Sequence, residues 1–153
     1  MTDISDEQVR EFIRFAFSGE RVHPTIRLAA AIVDAKGNLL EAAEETGAPP
    51  LLKHIAECKA KSCISIGMPT RAIMDLAQKK PYWFQSATLV SQSRTGLPLW
   101  GALGGVIIRD EAGHLVGAAA VAGDTGIGDE AHTRAAIEHI GLVADVDGLD
   151  VEW

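Results

Sequence analysis

The stretch Asp34-Ala35-Lys36-Gly37-Asn38-Leu39-Leu40-Glu41-Ala42-Ala43 is echoed later in the chain by Asp110-Glu111-Ala112-Gly113-His114-Leu115-Val116-Gly117-Ala118-Ala119. Asp, Gly, Leu and the Ala-Ala pair hold the same places in both. An Asp side chain opens a type I turn, and a Gly three residues on takes the left-handed position that follows. Each stretch therefore predicts a β-hairpin, either from a duplication or from one turn device used twice. The strands it joins are residues 25–33 with 38–44, and Val106–Arg109 with Leu115–Ala122. Hairpins pair their strands antiparallel.

Helical spacing fills the intervals. Val9, Phe12, Ile13, Ala16 and Phe17 recur at the helical period, so a helix is predicted over 5–18, capped by Ser5 and stopped by Gly19. A second helix runs from Pro50 to about Gly67. Pro69 breaks it, Thr70–Lys80 form a third, and Pro81 ends that one. Tyr82–Ser93 shows no clear period and reads as a loop with a short element near Ala87–Ser91. The last helix is predicted over Asp129–Ile140, capped by Asp129 and stopped at Gly141. The tail from Ala144 to Trp153 reads as weakly ordered or docked through Trp153. The order α-ββ-αα-ββ-α gives one α+β domain over 1–153, a central antiparallel sheet flanked by helices.

Composition narrows the function classes. The 153 residues suit one domain with a single core. Fifteen glycines, 23 alanines and only 5% aromatics describe a core of small and aliphatic side chains. The net charge of −7 argues against a nucleic-acid partner. No apolar run reaches the roughly 18 residues of a membrane span. Met1–Glu7 is acidic and polar, unlike a basic export leader, so a cytoplasmic location is expected. Cys58 and Cys63 are about 140° apart on a helix and lack CxxC spacing, so two free buried thiols are expected.

Several residues carry potential chemistry. His54 lies beside Leu51, Leu52 and Ile55 and suits an axial haem ligand, an acid–base group or a plain surface histidine. His132 and His139 share a helix face about 10 Å apart, too far for one metal ion. The loop Gly123–Gly128 leads into Asp129-Glu130, where a helix N-terminus welcomes an anion. The carboxylates there form either a proton-transfer pair or a cap with ordinary pairs from Arg134 to Glu130 and Glu138. Gly104-Gly105 let a flat ligand approach backbone, or mark a crowded turn. Glu41, Glu44 and Glu45 read as a solvated edge. Neither Gly-x-Ser-x-Gly nor a catalytic Cys-His signature is present.

Taken together, the pattern resembles the GlcG/HbpS-like haem-binding family, also found as the C-terminal domain of PduO-type proteins. The resemblance spans about residues 25–143. It rests on Val33-Asp34 with Gly37-Asn38-Leu39, on Gly47-Ala48 and Lys59-Ala60, on Gly104 through Ile108, and on Gly113 through Gly117. Val121-Ala122-Gly123 and Asp129-Glu130-Ala131 complete it. The family's usual Arg-Met-Asp-Gly-Ala stands here as Glu44-Glu45-Thr46-Gly47-Ala48, without the arginine. The resemblance implies a profilin-like sandwich and a homo-oligomer, a dimer or larger. It implies a small and acidic ligand, with haem or another tetrapyrrole in the lead. The ligand is expected between the Gly104-Gly105 strand, the helix of His54 and Lys59, and the Asp129 helix N-terminus near Gly123. Lys59 would neutralise an acidic ligand group. The alternative is a cofactor-independent isomerase or tautomerase of an acidic catabolic intermediate, with His54, Asp129 or Glu130 moving the proton.

Overall fold

The computed structural model describes residues 3–147. Its elements are α1 (Asp6–Ala16), β1 (Ala29–Asp34), β2 (Leu39–Glu44), α2 (Leu51–Ile66), α3 (Thr70–Lys79), α4 (Pro81–Thr95), β3 (Gly105–Arg109), β4 (Leu115–Ala122), α5 (Gly126–His139) and β5 (Val143–Asp145). One antiparallel sheet takes the order β2-β1-β4-β3-β5.

Both echoed stretches are hairpin turns built alike. Gly37 N–H donates to Asp34 O and Asp34 N–H to Asn38 O, each at 3.0 Å. Gly113 and Asp110, with His114, repeat both bonds at the same lengths. Gly37 and Gly113 sit at φ +82° and +88°, in the left-handed region where a side chain is strained. A register shift precedes each turn at the matching place, between Ile32 and Val33 and between Ile108 and Arg109. The two hairpins meet through β1 and β4, which pair over six residues at the centre of the sheet.

Side chains alternate across that central pair. Ala30, Ile32, Ala119 and Val121 face a core with Phe12 and Ala16 of α1 and Ala136 and Ile137 of α5. Ala31, Val33, Ala118, Ala120 and Ala122 face α2, where Ala56, Ala60 and Cys63 meet them. The alanines on this second face keep side-chain bulk low, so α2 lies close to the strands. This is the α+β sandwich expected from the sequence. Ser5 caps α1 through a reciprocal box with Gln8.

The structure corrects four expectations. The first strand begins at Ala29, because the Arg21 and Glu45 side chains take the Ile26 carbonyl and the Leu28 N–H that a strand would pair. Pro81 starts α4 as well as following α3, since a first-turn proline gives up no helical hydrogen bond. Residues 82–93, read as mostly loop, belong to this helix. Val143–Asp145 adds a fifth, edge strand beside β3. The predicted docking of Trp153 lies outside the described residues.

Candidate functional site

The charged residues of the sandwich interior gather where β4 ends and α5 begins. Thr125 caps α5, accepting from Gly128 N–H at 3.0 Å. Asp129 therefore sits in the first turn and is not the cap. Its carboxylate turns inward. Oδ2 lies 3.0 Å from Lys59 Nζ, and Oδ1 accepts the Asp124 N–H at 2.8 Å. Lys59 comes from the third turn of α2 and also donates to Val121 O at 3.0 Å. Both side chains are only 5% exposed. Burial raises the Asp129 carboxyl above its ordinary value, and the neighbouring ammonium offsets this only in part. Burial likewise lowers Lys59, against the pull of Asp129.

Two further pairs flank this one. His132 Nε2 lies 2.9 Å from Asp124 Oδ2, and both side chains are buried. Burial pushes the Asp124 carboxyl up, but the hydrogen bond from His132 and backbone N–H groups of Thr125 and Val22 outweigh it and hold the group below its usual range. On the other side Glu130 receives a two-pronged contact from Arg71 of α3, at 2.7 and 3.1 Å. The expected pairing of Glu130 with Arg134 yields to this one. Arg71 is 49% exposed while Glu130 is buried.

The glycines serve this cluster. A Cβ on Gly104, which sits at φ +131°, would lie 2.5 Å from Lys59 Nζ and 2.9 Å from Val121 O. One on Gly105 would meet Thr70, Cys63 and the Lys59 carbonyl. One on Gly123 would meet the Arg27 carbonyl. In each case protein atoms fill the space. Thr133 Oγ1 stitches the arrangement together, lying 2.8 Å from both Gly104 O and Asp129 O and sharing its one hydroxyl proton between them.

The structure thus brings Lys59, Asp129 and Gly104 into contact, with Glu130 next to Asp129 and Gly105 and Gly123 close by. It does not bring His54 to them. That residue stands exposed in the first turns of α2. Asp124, His132 and Arg71 belong to the cluster; the sequence reading missed the roles of Asp124 and Arg71, and named His132 only as too far from His139 to share a metal ion. Asp124 directly precedes the Thr125 cap, and its spacing to His132 is the signal that was available. At the second acidic site Glu45 is no free carboxylate. Arg21 grips it with both terminal guanidinium nitrogens, at 2.6 and 3.0 Å, while Leu28 N–H donates to it at 2.8 Å.

Ligand-sized space lies behind α2, against α4. An open groove of about 440 Å³ has Ile66, Ala87, Val90 and Leu99 as its apolar lining and Arg94 at its side. A second cavity of about 230 Å³ continues it, sharing Ser65, Ser91 and Thr95 and adding Lys36 and Lys61. The helix period explains the first. Ala87, Val90, Ser91 and Arg94 recur at three and four residues and share one face of α4. The inner side of α4 holds the 97–101 loop by polar contacts: Leu99 N–H to Thr88 Oγ1 at 2.9 Å, and Ser91 Oγ–H to Leu97 O at 2.7 Å. Cys58 and Cys63 are free and buried, as expected, and burial lifts the Cys63 thiol to about 12. Among the described residues no helix is long and apolar enough to cross a membrane.

Comparisons with known proteins agree with this architecture. A family model described as "Haem degrading protein HbpS-like" matches residues 4–138. The crystal structure of a PduOC:haem complex matches with a TM-score of 0.75 at 20% identity, over 94% of this chain and 99% of that one. A crystal structure of HbpS matches at 0.70 and 25% identity, over 91% of each chain. Klebsiella pneumoniae protein ORFY matches at 0.73 and 19%, over 92% and 93%. Comparison with curated proteins finds no significant match. With a family model covering most of its length and the same fold in these neighbours, the chain belongs to the HbpS-like family.

Proposed function

We propose that this protein binds a haem-type tetrapyrrole or a similar flat, acidic molecule in the trough between α2 and α4. One observation carries the reading: the groove of about 440 Å³ joins an apolar lining to flanking cations. Its volume lies within the usual range for small-molecule sites, and apolar walls with a few placed polar groups are their usual make-up. A tetrapyrrole has a broad apolar face and an acidic edge. Ile66, Val90 and Leu99 would cover the face, while Arg94 and the lysines would meet the carboxylates. Family membership and the haem complex of the PduOC neighbour support the same ligand class.

On this reading Lys59 and Asp129 do not touch the ligand. They hold the start of α5 and the Gly104 turn against α2, and so set the sheet on which the trough is built. Titrating the full chain with haem while following the Soret band and tryptophan fluorescence tests the proposal. Saturable quenching with a Soret shift is expected. A spectrum identical to haem in buffer at every ratio would sink it.

The proposal extends to self-assembly. Tyr82 and Leu89, seven residues apart on the outer face of α4, are 84% and 65% exposed. Such a face suits a second copy of the chain. Sedimentation velocity should show a dimer or larger species, and Leu89→Arg should shift it toward monomer. A wild-type monomer at micromolar concentration would refute this extension. The reduced, buried cysteines accord with a cytoplasmic setting.

A further inference from the structure

We infer that the trough selects its ligand by carboxylates and apolar shape and not by iron. This rests on the tetrapyrrole reading above and deepens it. Strong protein ligands for haem iron are imidazole, thiolate, thioether and phenolate. The residues lining the groove and its annex are aliphatic, hydroxylic or cationic, with none of these donors among them.

Among the described residues the donors found elsewhere are placed as follows. Cys63 is buried between α2 and the sheet, and Met74, half-buried on α3, lines neither cavity. His54 precedes Ser65 of the groove by roughly 16 Å along α2. His114 is engaged with Asp110, His132 with Asp124, and His139 with Glu11 while stacked on Phe15. His23 is bonded to Thr25 within its own loop. The Cys58 thiol donates to Pro98 O at 3.0 Å, and Met68 packs with Ile73 and Leu76. Tyr82 opens α4 on the outer face, away from the Ala87–Val90–Arg94 row.

What the trough does offer is positive charge. Arg94 makes no ion pair among the described residues. Lys36 lies within electrostatic reach of Asp34, and Lys61 pairs with Glu57 at 3.1 Å. Among the described residues no carboxylate lines either cavity. The hydroxyl of Ser65 faces the same shared space without a hydrogen bond among the described residues. Three cations beside an apolar floor match a planar diacid, whether or not its centre holds a metal.

The test titrates the full chain with haem, metal-free protoporphyrin IX and protoporphyrin dimethyl ester, read by tryptophan quenching. Haem and the free diacid should bind within about threefold of each other. The diester should bind at least about tenfold more weakly, the loss expected when a charge-assisted contact is removed. Arg94→Ala should weaken the diacid severalfold and leave the diester unchanged. Haem binding more than about tenfold tighter than the metal-free diacid would overturn the inference and leave the tetrapyrrole reading standing. Equal binding of diester and diacid would do the same. Failure of haem and protoporphyrin alike would overturn both.

Discussion

Lys59→Met should destabilise the protein by about 3 kcal/mol, the cost of breaking a buried ion pair from one side. The variant leaves the Asp129 carboxylate at 5% exposure with the Asp124 N–H as its remaining partner, and it strips a donor from Val121 O. The loss should depend on pH in a definite sense. Without the ammonium, the folded Asp129 carboxyl rises further above the 3.8 of the unfolded chain. A group raised on folding loses stability as pH climbs from the unfolded value through the folded one. The gap between wild type and variant is therefore small near pH 4 and full by neutral pH. Adding Asp129→Asn, which keeps an acceptor for the Asp124 N–H and removes the charge, should recover about 2 kcal/mol. Urea unfolding at several pH values reads all three proteins. A pH-independent gap, or a double variant no better than the single, would show that Lys59 acts by packing alone.

Gly104→Ala should cost roughly 3 kcal/mol or more, combining backbone strain at positive φ with overpacking. Its φ of +131° suits glycine, and the new methyl would press on the Lys59 ammonium and the Val121 carbonyl. Gly113→Ala separates the two causes. That glycine also sits at positive φ, yet nothing lies within 4 Å of the added Cβ. Strain alone should cost it about 1 kcal/mol. Equal losses at the two positions would mean that crowding around Lys59 contributes nothing.

Both variants probe a cluster that was half legible in the sequence. Lys59 stood out through the family resemblance, and Asp129 as a carboxylate at a helix start. Their contact depends on how α2 crosses β4, which no local pattern encodes. The pairings of Arg71 and His132 were not read because an arginine in a first helical turn and a histidine on a helix are ordinary there. Only the packing of α3 against α5 gives Arg71 its carboxylate.

The sandwich was far easier to read. Two Asp-x-x-Gly turns fix the hairpins by local chemistry alone, and a proline marks the start of α2. The helix α4 was not legible for a related reason. Its inner side binds a loop through Thr88 and Ser91, so no apolar stripe marks it, and Pro81 reads equally as the end of one helix or the start of another. With α4 went the trough, since five of the eight residues lining its main groove come from that helix.

The central claim is that the ligand lies in this trough, away from His54. Val90 is 63% exposed on the groove face of α4, so a charge there should leave the fold intact. The direct measurement is the dissociation constant for haem of wild type, Val90→Glu and His54→Ala, with circular dichroism confirming the fold of each. Val90→Glu should weaken binding at least about tenfold by placing a carboxylate against an apolar, acidic ligand, while His54→Ala should match wild type. Unchanged binding in Val90→Glu, with binding lost in His54→Ala, would contradict the account and move the ligand to the start of α2.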